Sequence, residues 1–173
     1  MNLKKNIVLI GMPASGKSTI GVILAKVIGY NFLDTDILIQ EKENRKLCEI
    51  IEKEGIDGFL DIENKTLASV DVKESVIATG GSAVYGTEAM DNLKKISTVI
   101  YLKVPYDILL DRLNDIKQRG VVIRKGQTFK DLYDERCKLY ERYADIVIDE
   151  KNNNVEEILS MITDKCKDID FDI

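Results

Sequence analysis

The chain has 173 residues, 45% hydrophobic and 32% charged, with 25 Lys and Arg against 30 Asp and Glu. This composition, with a net charge of −5, predicts one globular domain over 1–173, with no membrane segment and no nucleic-acid partner, which would call for a basic surface. The absence of histidine excludes Ser-His-Asp and Cys-His machinery, so any acid–base chemistry falls to carboxylates, lysine or tyrosine.

The first apolar run, Ile7-Val8-Leu9-Ile10, reads as a strand buried on both faces of a parallel sheet. Gly11 ends it, and 18–28 favours a helix stopped at Gly29. Phe32-Leu33 is a short strand leading into Asp34-Thr35-Asp36. The stretch 37–70 is helical in pieces, broken at Gly55 and Gly58, with Phe59, Ile62, Thr66, Leu67 and Val70 on one face. A strand follows over 75–79 and is cut by Gly80-Gly81. The next strand covers 97–104, and Pro105 opens a helix to about Asn114.

Residues 115–127 carry charge and glycine without a period and read as a loop. Thr128 and Asp131 form a capping box that opens a helix through Tyr143. Ile146-Val147-Ile148 is a last strand, Asn152 to Asn154 a turn, and 155–166 a closing helix before a frayed acidic tail over about 167–173. Strands alternating with helices predict a three-layer α/β/α domain with a five-stranded, mainly parallel sheet. Cys48, Cys137 and Cys166 lie far apart without C-x-x-C spacing, as expected of reduced thiols in a cytoplasmic protein.

Gly11-Met12-Pro13-Ala14-Ser15-Gly16-Lys17-Ser18 fits G-x-x-x-x-G-K-[ST] in full, between a buried strand and a helix. The glycines let backbone N–H groups curl inward around phosphate oxygens, and the helix adds its positive N-terminal end. Lys17 would reach the β- and γ-phosphates, and the Ser18 hydroxyl would ligate Mg²⁺. The fold is therefore predicted to be a P-loop NTPase fold, with a lid loop over about 115–128. An N-K-x-D base-reading motif is missing, since Asn64-Lys65 is followed by Thr66-Leu67, and no G-x-G-x-x-G opens the first helix. A chain this short with such a loop fits a small-molecule kinase.

Asp34 and Asp36 lie two apart at the end of the second strand, where one carboxylate near a metal and another near an acceptor hydroxyl would serve phosphoryl transfer. A helix N-cap or a solvated turn is the other reading of such residues. Arg136 falls on the stripe of Leu132, Leu139, Tyr140 and Tyr143. A guanidinium there needs an anion, from a protein carboxylate or from a substrate, unless its side chain snorkels to solvent. Arg119 and Arg124 are either solvated loop charges or groups that close over the transferred phosphate.

GMPASGKSTIG at 11–21, LDTD at 33–36, ATGG at 78–81 and DERCKLYERYAD at 134–145 resemble shikimate kinases in order and spacing over nearly the whole chain. The resemblance implies an ATP-dependent kinase with Mg²⁺ that phosphorylates a hydroxyl of a small metabolite, with shikimate the leading acceptor. It implies that Gly11, Met12, Pro13, Ala14, Ser15, Gly16, Lys17, Ser18 and Thr19 surround the phosphates. Arg112 would stack on adenine, bordered by the 149–154 loop. Asp34 would hold Mg²⁺ alongside Ser18, and Asp36 would orient the acceptor hydroxyl or take its proton. Gly80 and Gly81 would offer backbone to the substrate, Arg136 would grip its carboxylate, and Arg119 would be the lid arginine.

Three departures stand out. Phe59-Leu60-Asp61-Ile62-Glu63 occupies the place of F-R-x-x-E, whose Arg is a second grip on the carboxylate. Ser82 replaces a third glycine, and Arg119-Gly120-Val121-Val122 stands for R-P-L-L. Either shikimate binds weakly, and Leu60→Arg improves it, or another basic residue such as Lys53 or Lys65 reaches the carboxylate. A kinase for a different hydroxylated metabolite, held by Arg136 alone, is the alternative. A nucleotide-binding regulator without turnover is a second, opposed by the joint presence of Lys17, Ser18, Asp34 and Asp36. The chain is expected to act as a monomer.

Overall fold

The computed structural model describes residues 6–114, 123–151 and 153–167. Its strands are β1 (Asn6–Ile10), β2 (Asn31–Asp34), β3 (Ser75–Ala78), β4 (Ser97–Lys103) and β5 (Ile146–Asp149). They form a five-stranded sheet in the order β2-β3-β1-β4-β5, and every pairing in it is parallel. The helices are α1 (Lys17–Ile28), α2 (Thr35–Glu43), α3 (Leu47–Ala68), α4 (Thr87–Ile96), α5 (Tyr106–Asn114), α6 (Phe129–Tyr143) and α7 (Val155–Lys167), with a 3₁₀ turn at Ala83–Tyr85.

The two-residue period of the strands explains the layers. Ile7 and Leu9 of β1, Ile100 and Leu102 of β4, and Ile146 and Ile148 of β5 share a core with α1 and α7 residues such as Leu24 and Ile162. Val8, Ile10, Val99 and Tyr101 face the opposite core, where Phe59, Leu67, Leu93, Leu132 and Tyr140 pack. Alternate side chains point to opposite faces, so a strand covered on both sides must be apolar throughout. Buried Asn6 pins the incoming ends of the strands: its amide donates to the Val72 and Ile96 carbonyls, and its Oδ1 accepts from Ser75 N. Among the described residues no helix is long and apolar enough to cross a membrane.

The structure departs from the sequence reading in its local elements. Helix α4 occupies a segment to which that reading assigns nothing, although Ala89, Met90 and Leu93 supply the buried stripe of an amphipathic helix. Helix α2 begins at Thr35, with Asp34 as its N-cap, so Asp36 sits in a first helical turn rather than on an extended strand. Gly55 does interrupt α3, at φ 72° and ψ 179°, but Gly58 lies within regular helix. The buried face of α3 carries Glu63 where Ile62 is expected; Glu63 is 1% exposed and Ile62 only half-buried. Arg119, most of the expected lid, Asn152 and the tail over 168–173 lie outside the described residues.

Candidate active site

The carboxyl end of a parallel sheet is where β-to-α turns converge, and the chemistry-bearing residues gather along this rim. The first turn runs from β1 to α1. Its loop needs φ values of 151° at Gly11, 66° at Ala14 and 85° at Gly16. A Cβ on Gly11 would stand 2.7 Å from the Leu102 carbonyl oxygen and 3.0 Å from Ser15 Oγ, so glycine is demanded there by space as well as by φ. Lys17 Nζ, almost fully buried, donates to the carbonyls of Gly11 (2.9 Å) and Met12 (2.8 Å) and to Ser15 Oγ (3.3 Å). Burial pushes its ammonium pKa down to about 8, with the negative charge of Asp36 the largest opposing influence.

Asp34 ends β2 and divides its carboxylate. Oδ1 accepts from Asp36 N (3.0 Å) and Ile37 N (3.4 Å), capping α2, while Oδ2 accepts from Ser18 Oγ at 2.9 Å. The helix-cap reading of this residue describes the structure, and the same carboxylate also faces the Ser18 hydroxyl. Burial, then the neighbouring Asp34, raise the pKa of Asp36, and Lys17 opposes them. Among the described residues the Asp36 carboxylate accepts no hydrogen bond, which leaves it open to an incoming hydroxyl.

Gly80 explains its own identity. A Cβ there would meet Glu63 Oε1 at 2.7 Å and Asp36 Oδ1 at 2.9 Å, so the two carboxylates bracket the backbone, whose N–H donates to Thr35 Oγ1 at 3.2 Å. A Cβ on Gly81 would meet Pro13 Cδ at 2.8 Å and Arg136 Nη1 at 3.1 Å. Arg136, 1% exposed on α6, stands with its guanidinium 5.3 Å over the Tyr85 ring and donates from Nε to Tyr85 Oη at 3.4 Å. Tyr140, one turn on, donates its hydroxyl to the Gly81 carbonyl at 2.6 Å. The nucleotide-type loop and the Arg136 corner thus share Pro13 and Gly81 as a common wall.

The sequence reading misses Glu63, Tyr85 and Glu150. A signal for Glu63 exists, since a carboxylate four residues after Phe59 falls on the core stripe. Glu63 Oε2 accepts from Ser82 Oγ at 2.6 Å, while Oε1 is buried without a partner. Burial pushes its carboxyl up to about 7; the Ser82 hydrogen bond opposes this, Asp36 adds to it and Arg136 opposes it. The folded protein therefore holds a proton between pH 4.5 and 7 that the unfolded chain releases, and this contribution to stability is lost as pH rises through about 7. Relative to Glu63→Gln, wild type should lose on the order of 3 kcal/mol between pH 4.5 and 7. Denaturant melts of both proteins check this, and parallel pH profiles would contradict it.

Beyond the loop, a cavity of about 540 Å³ is lined by Ala14, Gly16, Thr19, Arg112, Glu150 and Asn154, among others. Arg112 Nη1 donates to the Ala14 carbonyl at 3.1 Å and lies 3.4 Å from the buried Glu150 Oε2. Leu60 is half-buried, and Lys53 and Lys65 are both exposed, Lys65 being held by Asp61 at 2.6 Å. Neither lysine is tied to the Arg136 corner. Arg124 is tied to α3 by Asp57, at 3.0 Å.

Comparison with known proteins agrees with this geometry. The family model for shikimate kinase matches residues 13–167. A shikimate kinase of Sulfurihydrogenibium sp. (strain YO3AOP1) is 35% identical over 164 residues, covering 94% of this chain and 98% of that protein. One from Clostridium botulinum (strain Loch Maree / Type A3) is 38% identical over 163 residues, covering 91% and 94%. Among solved structures, shikimate kinase from Acinetobacter baumannii in complex with shikimate superposes with a TM-score of 0.86 at 30% identity, covering 98% of this chain and 97% of that one. That of Aquifex aeolicus gives 0.75 at 29% identity, covering 94% and 96%. A match of this extent places the chain in the shikimate kinase family, whose members use ATP.

Proposed function

We propose that the protein passes the γ-phosphoryl group of ATP to a hydroxyl of shikimate. The observation that carries this reading is a single rim on which Asp34 (paired with Ser18), Asp36 and Arg136 all lie within electrostatic reach of Lys17. Lys17 and the backbone of residues 11–16 hold the phosphates, with Thr19 beside them and Arg112 against the base. The Ser18 hydroxyl and Asp34 Oδ2, 2.9 Å apart, are hard oxygen donors of the kind that suits Mg²⁺ when phosphate oxygens and water complete the shell. Bound there, Mg²⁺ would neutralise charge on the β- and γ-phosphates.

Asp36 orients the acceptor hydroxyl. The acceptor oxygen bonds to the γ-phosphorus as the bond from that phosphorus to the β,γ-bridging oxygen breaks; ADP leaves and the hydroxyl proton passes to Asp36. The raised pKa of Asp36 favours that last step, because a more basic carboxylate holds the proton better. Gly80 and Gly81 offer backbone to the acceptor, and Arg136 meets its carboxylate. Arg119, outside the described residues, remains the lid arginine of this reading.

Leu60 favours a second reading, in which the acceptor is another small hydroxylated metabolite. A coupled ADP-release assay with shikimate and with a panel of hydroxy acids, polyols and hydroxy amino acids separates the two. Shikimate is expected to give the highest kcat/KM. Turnover of another compound with none of shikimate would establish the second reading, and ATP binding without turnover of anything would make the chain a regulator.

A further inference from the structure

We propose that Arg124 supplies a second guanidinium for the acceptor's carboxylate, acting with Arg136 from the turn that precedes α6. The proposal rests on the reading of the acceptor as a hydroxy acid. Leu60, Asn64, Tyr85, Gly86 and Arg124 border a cavity of about 520 Å³ beside the Arg136 corner. That volume lies in the range of sites for small molecules, roughly 300–1,000 Å³. Leu60 gives the cavity an apolar wall and no charge. Among the described lining residues Arg124 is the cation. The acids that share the lining are engaged, Asp61 by Lys65 at 2.6 Å and Glu88 by the Asn64 amide at 3.2 Å.

Tyr85 joins this cavity to Arg136. Its ring lies under the Arg136 guanidinium, and its hydroxyl donates to Glu135 Oε1 at 2.5 Å. The other oxygen of Glu135 accepts from Gln127 Nε2 at 3.3 Å. Gln127 in turn closes the turn that presents Arg124, donating from its backbone N–H to the Arg124 carbonyl at 3.0 Å and accepting from Arg124 N at 3.4 Å through its side chain. Gly126 takes the left-handed conformation the turn needs, at φ 85°. A continuous set of hydrogen bonds therefore ties the backbone of Arg124 to Tyr85 and, through it, to Arg136.

The present partner of Arg124 is easily exchanged. The side chains of Arg124 and Asp57 are 65% and 87% exposed, and an ion pair so solvated contributes little. A ligand carboxylate that meets a planar guanidinium accepts paired, charge-assisted hydrogen bonds, which are the stronger kind. Trading Asp57 for such a ligand costs little and gains more. Lysine could not do the same, because it lacks the two-pronged geometry.

Steady-state kinetics on wild type, Arg124→Ala, Arg124→Lys and Leu60→Arg/Arg124→Ala test the proposal, with shikimate and its methyl ester as acceptors. Arg124→Ala should raise the shikimate KM roughly tenfold, the loss expected when a charge-assisted hydrogen bond is removed from a ligand carboxylate. It should leave the KM for ATP unchanged, the KM for the ester within about twofold, and kcat at saturation close to wild type. Arg124→Lys should recover part of the loss, and Leu60→Arg should recover most of it by supplying a guanidinium from α3. An unchanged shikimate KM, an equal loss with the ester, or a rise confined to the KM for ATP would each overturn the role. Should wild type ignore shikimate but use another hydroxy acid, the functional reading fails and the same comparison runs on that acid and its ester. A protein inert to all hydroxy acids overturns both.

Discussion

Lys17→Met will leave a folded protein whose phosphoryl transfer has fallen by at least about 10²–10³, the loss typical when one preorganised donor is removed from a developing negative charge. The expectation rests on where the ammonium sits. Lys17 Nζ is held by the Gly11 and Met12 carbonyls at 2.9 and 2.8 Å, inside the loop between β1 and α1. No described side chain stands ready to replace it in that loop. Methionine matches the length and apolar stem, so the core around Ile10 and Met12 should persist.

A pH experiment reads the same residue from another side. Its folded pKa of about 8 lies below the ordinary 10.5, so between those values the unfolded chain binds a proton that the folded protein has given up. Stability contributed by Lys17 therefore rises with pH across that window. Wild type should gain on Lys17→Met between pH 8 and 10.5, as read by denaturant melts without nucleotide. Wild-type turnover surviving in the variant would defeat the kinase reading outright.

Asp36→Asn should lower kcat by about 10²–10⁴ while changing the affinity for ATP little, because a positioned general base contributes on that scale. Asparagine keeps the size of the side chain and its fit beside Gly80, where a Cβ would lie only 2.9 Å from Asp36 Oδ1. It removes the charge and the basicity. Isothermal titration with a non-hydrolysable ATP analogue, beside kcat at saturating substrates, separates the two effects. Lost nucleotide binding with unchanged kcat would mean that Asp36 and not Asp34 belongs to the nucleotide side.

How much of this was legible in the sequence depends on how local each feature is. The loop from Gly11 to Ser18 could be read because its chemistry is contiguous, and the parallel sheet because buried strands are apolar on both faces. Arg136 could be read because helical spacing alone puts it with Leu132 and Tyr140 on the buried stripe, where the structure has all three. Asp36 lies one element further on than propensity suggests, since the Asp34 side chain starts α2 at Thr35. Helix α4 is legible in the stripe of Ala89, Met90 and Leu93 between two strands.

Other features had no local signature. The burial of Glu63 depends on Ser82, nineteen positions away. That of Glu150 depends on Arg112, thirty-eight away. Leu60 could be read only as a missing charge. What stands near it in its place, Arg124, comes from a turn sixty-seven positions from its partner Asp57, a distance that only folding closes.

The divided carboxylate of Asp34 bears on how such proteins drift. One oxygen starts the helix that carries Asp36, and N-caps of this kind are worth about 0.5–2 kcal/mol. The other oxygen belongs to the Ser18 pair. Selection for a stable fold is therefore enough to keep an aspartate at this position, even in a lineage released from any demand for turnover. Asp36 has no such second employment, since its carboxylate caps nothing among the described residues and carries a burial cost besides. Of the two aspartates, only the second would be free to decay, so its persistence is the more faithful record of continued catalysis.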